Sequence, residues 1–352
     1  MIDPIFEKIK PEPFKIKTVT PLKILTRKER EKIIKDVHYN MFKIKSDEVF
    51  VDLLTDSGTT AMSDAQWAAI MIGDEAYASA TSWFKLEETL KDIFSYKYVL
   101  PAHQGRGAEK TLFKAMIKKG QTVPNNMHFS PDRITDSGGI MANLIIDEAK
   151  NLQSTHPFKG NMDIDKLETL IKKVGPDNIP FVEVTVTCNN AGGQPVSMAN
   201  LKEIREVASR YGLPVILDAA RIAENAYFIK EREEGYQNKT IKEIVREITS
   251  YSDGCVVSSK KDGMVNIGGF VGINDDNLYE EMQSLTLMWE GYMTYGGMAG
   301  RDLEALAVGY QEVIDENYLR YRIGQVRDLG EQMQKQGVPI VTPVGGHGIW
   351  ID

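Results

Sequence analysis

The sequence predicts an α/β fold with a mostly parallel sheet flanked by helices. Residues 180–187 (PFVEVTVT) and 214–218 (PVILD) are short apolar segments typical of buried strands. Between them, residues 199–211 (ANLKEIREVASRY) have helical periodicity, and Gly212 suits the end of a helix. Strand, helix and strand at this spacing form a βαβ unit, whose strands are parallel and whose crossover is right-handed.

The rest of the chain extends this pattern. Apolar segments at Gly254–Ser258 and Gly269–Ile273 predict two more strands. Residues 301–336 form the longest helix-like region, which we expect to break once or twice, and residues 339–344 suggest a new strand. Residues 1–60 mix prolines, lysines and short apolar runs, as an extended arm does.

This pattern predicts three parts. Residues 1–60 would be an N-terminal arm and part of a small domain, residues 61–310 a large domain, and residues 311–352 the start of a C-terminal small domain. Because the last strand begins close to residue 352, we expect the small domain to be truncated here.

Composition and charge restrict the class of protein. The chain has 352 residues and a net charge of −8, so we expect no nucleic-acid partner, since phosphate binding needs a basic face. No apolar run reaches membrane-spanning length and no signal peptide is visible, which predicts a cytoplasmic protein without a membrane partner. The two cysteines, Cys188 and Cys255, fit a reducing compartment.

A lysine pair after a predicted strand is the first chemical signal. Lys260 and Lys261 follow Ser258 and Ser259, and apolar residues come next. Adjacent lysines are usually surface charge, but a lysine between apolar segments is partly desolvated. Desolvation disfavours the ammonium form, and the free amine can form an imine. The serines can donate to a phosphate.

Asp218 and Arg221 are the second signal, because Asp218 ends the predicted strand 214–218. Ligands of α/β proteins bind at the carboxyl ends of parallel strands. A carboxylate there can pair with a protonated pyridine nitrogen. The alternative is a helix N-cap, a position that aspartate also favours. Lys261 follows far enough along the chain to leave room for a helical crossover and one more strand.

The third signal is QGRGAE at residues 104–109, which opens a predicted helix that runs to about Lys119. Backbone N–H groups at a glycine-rich helix start bind anions, and Arg106 adds charge. A plain turn is the commoner meaning of two nearby glycines. Together the three signals predict pyridoxal phosphate bound to Lys261. The five histidines lack metal-site spacing, and GGHG at residues 345–348 is interpreted as a turn.

Across nearly its whole length the sequence resembles the β-eliminating lyases, tryptophanase and tyrosine phenol-lyase. The matching motifs are PEPFKIK, DLLTDSGT, GDEAYA, HQGRGAE, NNAGGQPVSMAN, DAARIAENAYFIK, SSKKDGMVNIGGF and TYGGMAGRD. The resemblance implies the aspartate-aminotransferase-like fold, fold type I of the pyridoxal phosphate enzymes. It also implies a homotetramer, an amino acid as the small-molecule substrate, and potassium as an activating ion.

The resemblance further implies roles for individual residues. Lys261 is expected to hold the cofactor as a Schiff base, and Tyr77 to be the catalytic acid. Asp218 is expected at the pyridine nitrogen and Arg221 at the phenolic oxygen. The other residues expected to bind the cofactor are Gln104, Gly105, Arg106, Ser258 and Lys260 at the phosphate, Phe129 on the ring, Asn189, and Tyr295 from a neighbouring subunit. The residues expected near the substrate are Thr55, Ser57, Ser130 and Asn189, and those expected around potassium are Gly58, Glu75 and Asn266.

Local motifs divide between the two kinds of lyase. DAAR, CNNAGG and TYGGMAGRDLEALAVG favour tryptophanase, whereas VNIGGF and DGC favour tyrosine phenol-lyase. Ser130 stands where tryptophanases resemble one another in having aspartate and the phenol-lyases in having threonine. The sequence places tryptophan slightly ahead as the substrate, with tyrosine as the alternative. A cysteine- or serine-type β-lyase and an inactive truncated relative are the other readings.

Overall fold

The computed structural model describes residues 12–58, 61–127 and 131–352. The chain divides into two compact units, Met1–Asp56 and Ser57–Asp352. The domain boundaries predicted near residues 60 and 310 stay predictions. No helix in the described ranges has the length and apolar character needed to cross a bilayer.

The first unit contains a helix that the expected extended arm did not include. Helix α1 (Arg27–Asp36) starts at Thr26, whose side chain accepts from Glu29 N while the Glu29 side chain accepts from Thr26 N. This capping box satisfies two of the N–H groups that a helix start leaves unpaired. Two short 3₁₀ turns follow, at Met41–Lys43 and Ser46–Glu48.

The second unit alternates helices and strands along most of its length. Its helices and strands in chain order are α2 (Asp64–Ile72), α3 (Thr81–Phe94), β1 (Tyr98–Ala102), α4 (Gly105–Met116), β2 (Thr122–Asn125), α5 (Pro131–Asp136), β3 (Ile140–Asn143), α6 (Ile164–Val174), β4 (Val182–Thr185), α7 (Met198–Arg210), β5 (Val215–Asp218), α8 (Ile222–Arg232), α9 (Ile241–Ser250), β6 (Gly254–Ser258), β7 (Gly269–Ile273), α10 (Asp276–Trp289), α11 (Gly300–Val313) and α12 (Glu316–Lys335).

Within the described residues, seven strands form one sheet in the order β1-β7-β6-β5-β4-β2-β3. Strand β7 runs antiparallel to β1 and β6, and the other neighbouring pairs are parallel. The predicted βαβ unit is β4, α7 and β5, with Thr185 opposite Asp218. The mostly parallel sheet is therefore confirmed, and its carboxyl edge carries Asp218 and Ser258 at the ends of neighbouring strands.

Helices cover both faces of this sheet. On one face, Ile216 and Val256 belong to a cluster with residues of α4 and α10. On the other, Leu217 and Val257 join a larger cluster built with α3, α7, α8, α9 and α11. Successive strand residues therefore point into different cores, as strand geometry requires. The two cores hold the strand ends in fixed positions.

The helix-like region 301–336 consists of two helices, α11 and α12, so the predicted break is confirmed. Asp315 lies between them, and its side chain accepts from Asn317 N and Tyr318 N. An aspartate at this position caps the new helix and separates it from the old one.

The predicted strand at residues 339–344 is wrong. In the described chain this segment makes one isolated bridge, between Ile340 and Ile351. Pro339 and Pro343 cannot donate to a strand ladder, which explains why no ladder extends through them. Instead, the fully buried Lys159 ammonium donates to Thr342 O at 2.7 Å and to Asn151 O at 2.8 Å.

Candidate active site

The predicted lysine lies beside the carboxyl ends of β5 and β6. Lys261 Nζ donates to Ser258 Oγ at 3.0 Å. Ser258 ends β6, and Asp218 ends the neighbouring β5, where it pairs with Val256. A turn after β6 places the lysine, because Lys261 N donates to Ser258 O at 3.3 Å. The sheet therefore brings the lysine and the aspartate to one edge, as the sequence predicted.

The glycine-rich start of α4 packs against the same edge. Gln104 is the N-cap of α4 and provides no side-chain cap. A Cβ built on Gly105 would lie 2.4 Å from Ser258 Cβ, so only glycine permits this close approach. Gly268 N donates to His103 O at 2.7 Å, which ties the loop to the segment after Lys261. The positive end of α4 therefore lies beside Ser258, where an anion can bind.

Two charged side chains from α4 and α5 add to this region. Arg133 forms an ion pair with Glu109, and both side chains are mostly buried. Burial lowers the pKa of Arg133, as does the charge of the exposed Arg106, while Asp218 and Glu183 oppose the shift. No local pattern in the sequence marks Arg133, because its partner Glu109 lies in a different helix.

Asn189 belongs to a buried polar network. His347 Nε2 lies 2.7 Å from Asn189 Oδ1, and His347 Nδ1 donates to Glu224 Oε1 at 2.6 Å. Arg322 donates to Glu224 Oε2 at 2.6 Å, and Thr187 Oγ1 donates to Oε1 at 2.8 Å. Glu224 is fully buried. The network therefore fixes the orientation of the Asn189 side chain through its contact with His347.

Glu224 stays ionised in this network. Burial disfavours its charge, but the His347 imidazole and the Arg322 guanidinium outweigh burial and hold the pKa of the carboxyl below its usual value. His347 belongs to the GGHG segment that the sequence suggested was a turn. Since these side chains come from widely separated segments, no local spacing could have revealed the network.

Two predicted tyrosines, the exposed Tyr77 and the half-buried Tyr295, meet in an aromatic cluster. The rings of Tyr77 and Tyr295 are 6.4 Å apart, and Tyr292 lies 5.4 Å from Tyr77. Tyr77 is 75% exposed. The link between the two segments is reinforced by Ser79 N, which donates to Thr294 Oγ1 at 2.9 Å. Tyr77 is therefore available to a group from outside this chain.

The predicted potassium residues are brought together in part. Asn266 Nδ2 donates to Gly58 O at 2.8 Å, and Gly58 N donates to Lys260 O at 3.0 Å. Glu75 Oε1 accepts instead from Gly300 N at 3.2 Å, and within the described ranges it has no hydrogen bond to the Gly58–Asn266 pair. The Lys260 side chain packs against Gly58.

The remaining residues that were expected near the substrate or on the cofactor ring fall in three places: the first compact unit, the second unit, and the part of the chain outside the described residues. Thr55, in the first compact unit, donates through Oγ1 to Asp52 at 2.6 Å. Ser57 directly precedes Gly58 in the second unit. Phe129 and Ser130 lie outside the described residues.

Comparison with known proteins establishes the family. A family model described as "Beta-eliminating lyase" matches residues 52–351. This chain belongs to the β-eliminating lyase family. It is an enzyme, a carbon–carbon lyase, as the motifs predicted.

Relatives of this β-eliminating lyase include three that are named tyrosine phenol-lyase. The one from Symbiobacterium thermophilum is 53% identical over 97% of this chain and 75% of its own length. The one from Clostridium tetani is 52% identical over the same shares. The one from Fusobacterium nucleatum is 52% identical over 99% of this chain and 76% of its own.

A solved structure supports the fold. A chain of the SepCysS–SepCysE N-terminal domain complex superposes with a TM-score of 0.60 at 13% identity, covering 88% of this lyase and 79% of that chain. With the mostly parallel sheet and the family membership, the predicted aspartate-aminotransferase-like fold is confirmed.

The residues at the sheet edge of this lyase fit pyridoxal phosphate, the cofactor expected for the family. The α4 start, Ser258 and the lysine pair suit a phosphate and an aldehyde, and Asp218 suits a ring nitrogen. Thr185, opposite Asp218, adds an independent observation: its Oγ1 is buried and has no hydrogen-bond partner in the described part of the chain. An unpaired buried hydroxyl costs free energy, and a polar ligand beside Asp218 would satisfy it.

Replacing Glu224 by glutamine is expected to lower the free energy of unfolding of this lyase by about 3 kcal/mol or more, because Arg322 would lose its buried carboxylate partner. Urea unfolding followed by circular dichroism measures the change. Glu231→Gln is the matched control, since the Arg327–Glu231 pair also joins α8 to α12 but is about one-third exposed. The control should cost less than about 1 kcal/mol, and equal losses would contradict the prediction.

Proposed function

We propose that this lyase cleaves L-tyrosine, with water, to phenol, pyruvate and ammonia. The observation that carries the chemistry is Lys261 Nζ hydrogen-bonded to Ser258 at the sheet edge that also bears Asp218. The name shared by relatives at 50–53% identity supports tyrosine as the substrate. The comparisons thus favour the alternative over tryptophan, which the sequence motifs placed slightly ahead.

Pyridoxal phosphate and potassium are the proposed cofactors. When bound, pyridoxal phosphate supplies an electron sink for the negative charge that develops at the substrate's α-carbon. Asp218 would hold its ring nitrogen, and Arg221 with Asn189 would bind its phenolic oxygen. The remaining residues proposed to hold it are Gln104, Gly105, Arg106, Ser258 and Lys260 at the phosphate and Phe129 on the ring.

The proton transfers are assigned to two side chains. The Lys261 amine would accept the α-proton, because its nitrogen lies at the sheet edge that would hold the cofactor. Tyr77 would donate a proton to the ring carbon as the bond between that carbon and the β-carbon breaks, releasing phenol. Water then completes the conversion of the three-carbon remainder to pyruvate and ammonia.

Subunit contacts would complete the site. The contact between the exposed Tyr77 and the half-buried Tyr295 supports a homotetramer in which Tyr295 would reach the site of a neighbouring subunit. Glu75 and the backbone oxygens of Gly58 and Asn266 would hold potassium, a hard cation that prefers oxygen. Residues 61–310 would form the cofactor-binding domain, with Thr55, Ser57 and Ser130 near the substrate.

The test is a comparison of substrates with the protein loaded with pyridoxal phosphate and potassium. L-tyrosine, L-tryptophan and S-methyl-L-cysteine are assayed for pyruvate, with phenol and indole measured separately. We expect kcat/KM for tyrosine to exceed that for tryptophan by at least about tenfold. Faster release of indole would make tryptophan the substrate. Faster turnover of S-methyl-cysteine would favour the small-substrate reading, and no pyruvate from any of the three would refute lyase activity.

A further inference from the structure

The helix that begins after Arg221 receives its N-terminal cap from the lysine segment. Arg221 is the N-cap of α8 and provides no side-chain capping hydrogen bond. Instead, Ala223 N donates to Asp262 Oδ2 at 2.8 Å. Asp262 directly follows Lys261 in the chain. The carboxyl of Asp262, in the segment after β6, therefore accepts from an N–H group that the start of α8 leaves without a partner inside the helix. Helix α8 itself follows the neighbouring strand β5.

A second hydrogen bond joins the same two segments. Asp262 N donates to Ala220 O at 3.4 Å, so Arg221 lies between two residues that bond to Asp262. Asp262 is 4% exposed and Arg221 is 5% exposed. Water has little access to these groups, so it cannot replace the carboxyl as acceptor. The contact is a direct link between the segments that carry Lys261 and Arg221.

The surroundings of Asp262 explain which replacement can keep this link. Burial raises the pKa of Asp262 to about 7; the Ala223 N–H opposes the shift, Glu224 adds to it, and Arg322 and Arg221 oppose it. Burial raises the pKa of two neighbouring tyrosines, Tyr318 of α12 and Tyr310 of α11, and the charge of Asp262 adds to both shifts. The protonated and the ionised carboxyl both keep an oxygen for Ala223. An asparagine amide can therefore accept the same hydrogen bond.

We propose that Asp262 is a positioning residue for the β-elimination: by capping α8 it holds Arg221 in place relative to Lys261. The inference rests on the roles proposed above for Arg221 and Lys261. Strands β5 and β6 already set the distance between the two segments, but Arg221 lies beyond the strand end. Its backbone position depends on the first turn of α8, which Asp262 holds.

Three variants test the proposal. Asp262→Ala removes the acceptor, Asp262→Asn restores it, and Thr240→Ala removes a cap elsewhere. Thr240 is a matched control because its side chain accepts from Glu243 N and caps α9, away from the lysine segment. Each protein is examined by hydrogen exchange at the start of α8 without cofactor. Each is then loaded with pyridoxal phosphate for borohydride trapping on Lys261 and for kcat/KM with L-tyrosine.

The expected results separate positioning from stability. Asp262→Ala should exchange the Ala223 amide faster, reduce trapping on Lys261 and lower kcat/KM by about 100-fold, the scale of a small misplacement of reacting groups. Asp262→Asn should restore all three to near wild type. Thr240→Ala should lower the melting temperature about as much as Asp262→Ala does, while leaving trapping and kcat/KM unchanged.

Other results would overturn the proposal. If Asp262→Ala keeps the trapping and kcat/KM of the Thr240→Ala protein, Asp262 is only a helix cap. If Asp262→Asn protects the Ala223 amide but stays as slow as Asp262→Ala, the hydrogen bond is not what positions Arg221. Should Asp262→Ala fail to fold, Asp262→Ser, whose side chain is shorter, replaces it in the same comparison.

The failure of the proposed function would look different. Wild-type protein that releases no pyruvate from any amino acid would refute the lyase assignment. The exchange of the Ala223 amide and the trapping of cofactor on Lys261 would still decide whether Asp262 positions the segment. Unchanged exchange and trapping in Asp262→Ala would then overturn the inference on their own.

Discussion

Replacing Lys261 by alanine is expected to lower kcat/KM for L-tyrosine by at least about 10⁴-fold, the scale seen when a nucleophile or its base is removed. The variant loses both the amine that binds the cofactor covalently and the base that accepts the α-proton. The measurements are pyruvate release and borohydride trapping followed by mass spectrometry of the peptide that contains residue 261. Trapping should disappear together with activity.

Two further variants serve as comparisons: one separates the role of the Lys261 amine from that of its charge, and the other removes an exposed lysine elsewhere. Lys261→Arg keeps a positive charge beside Ser258, but a guanidinium stays protonated and cannot act as an amine nucleophile, so activity should be lost as in the alanine variant. Lys173→Ala, at an exposed position near the end of α6, should behave as wild type. Circular dichroism verifies that all three fold. Substantial activity in Lys261→Ala would refute the assignment of the site.

Asp218→Asn is expected to lower kcat by about 10³-fold while changing the free energy of unfolding by less than about 1 kcal/mol. The amide keeps the size of the side chain but cannot stabilise a protonated ring nitrogen, so the electron sink weakens. Steady-state kinetics with tyrosine and urea unfolding of the same samples measure the two effects.

The structure removes the competing explanation for Asp218. It is the last residue of β5, and its Oδ1 accepts from Ala220 N at 3.3 Å, but the N-cap of α8 is Arg221, so Asp218 is not the helix N-cap. Asp163→Ala is the matched cap control, because Asp163 accepts from Lys166 N at the start of α6. That variant should lose about 1 kcal/mol of stability and keep its activity. An Asp218→Asn protein that melts earlier with unchanged kcat would support a structural role instead.

Much of the fold could be predicted because its elements depend on local patterns. The strands Gly254–Ser258 and Gly269–Ile273 appear within their predicted bounds, since apolar runs with turn residues at both ends specify strands. The break in residues 301–336 was predicted as well. In contrast, the antiparallel direction of β7 and its place between β1 and β6 carry no local signal. At residues 339–344 the apolar segment predicted a strand that does not form, because Pro339 and Pro343 cannot donate to a strand ladder.

The site divides in the same way. By itself, the sequence determined which residues meet at the carboxyl edge, because the ends of neighbouring parallel strands must lie together; Asp218, Ser258 and Lys261 follow from that rule. Only the tertiary structure decided that Glu224 holds His347 and Arg322, and that Asp262 caps α8. Buried polar groups need partners, but the chain can supply them from any distance along the sequence. Periodicity records which residues are buried, and only folding selects the partners they meet.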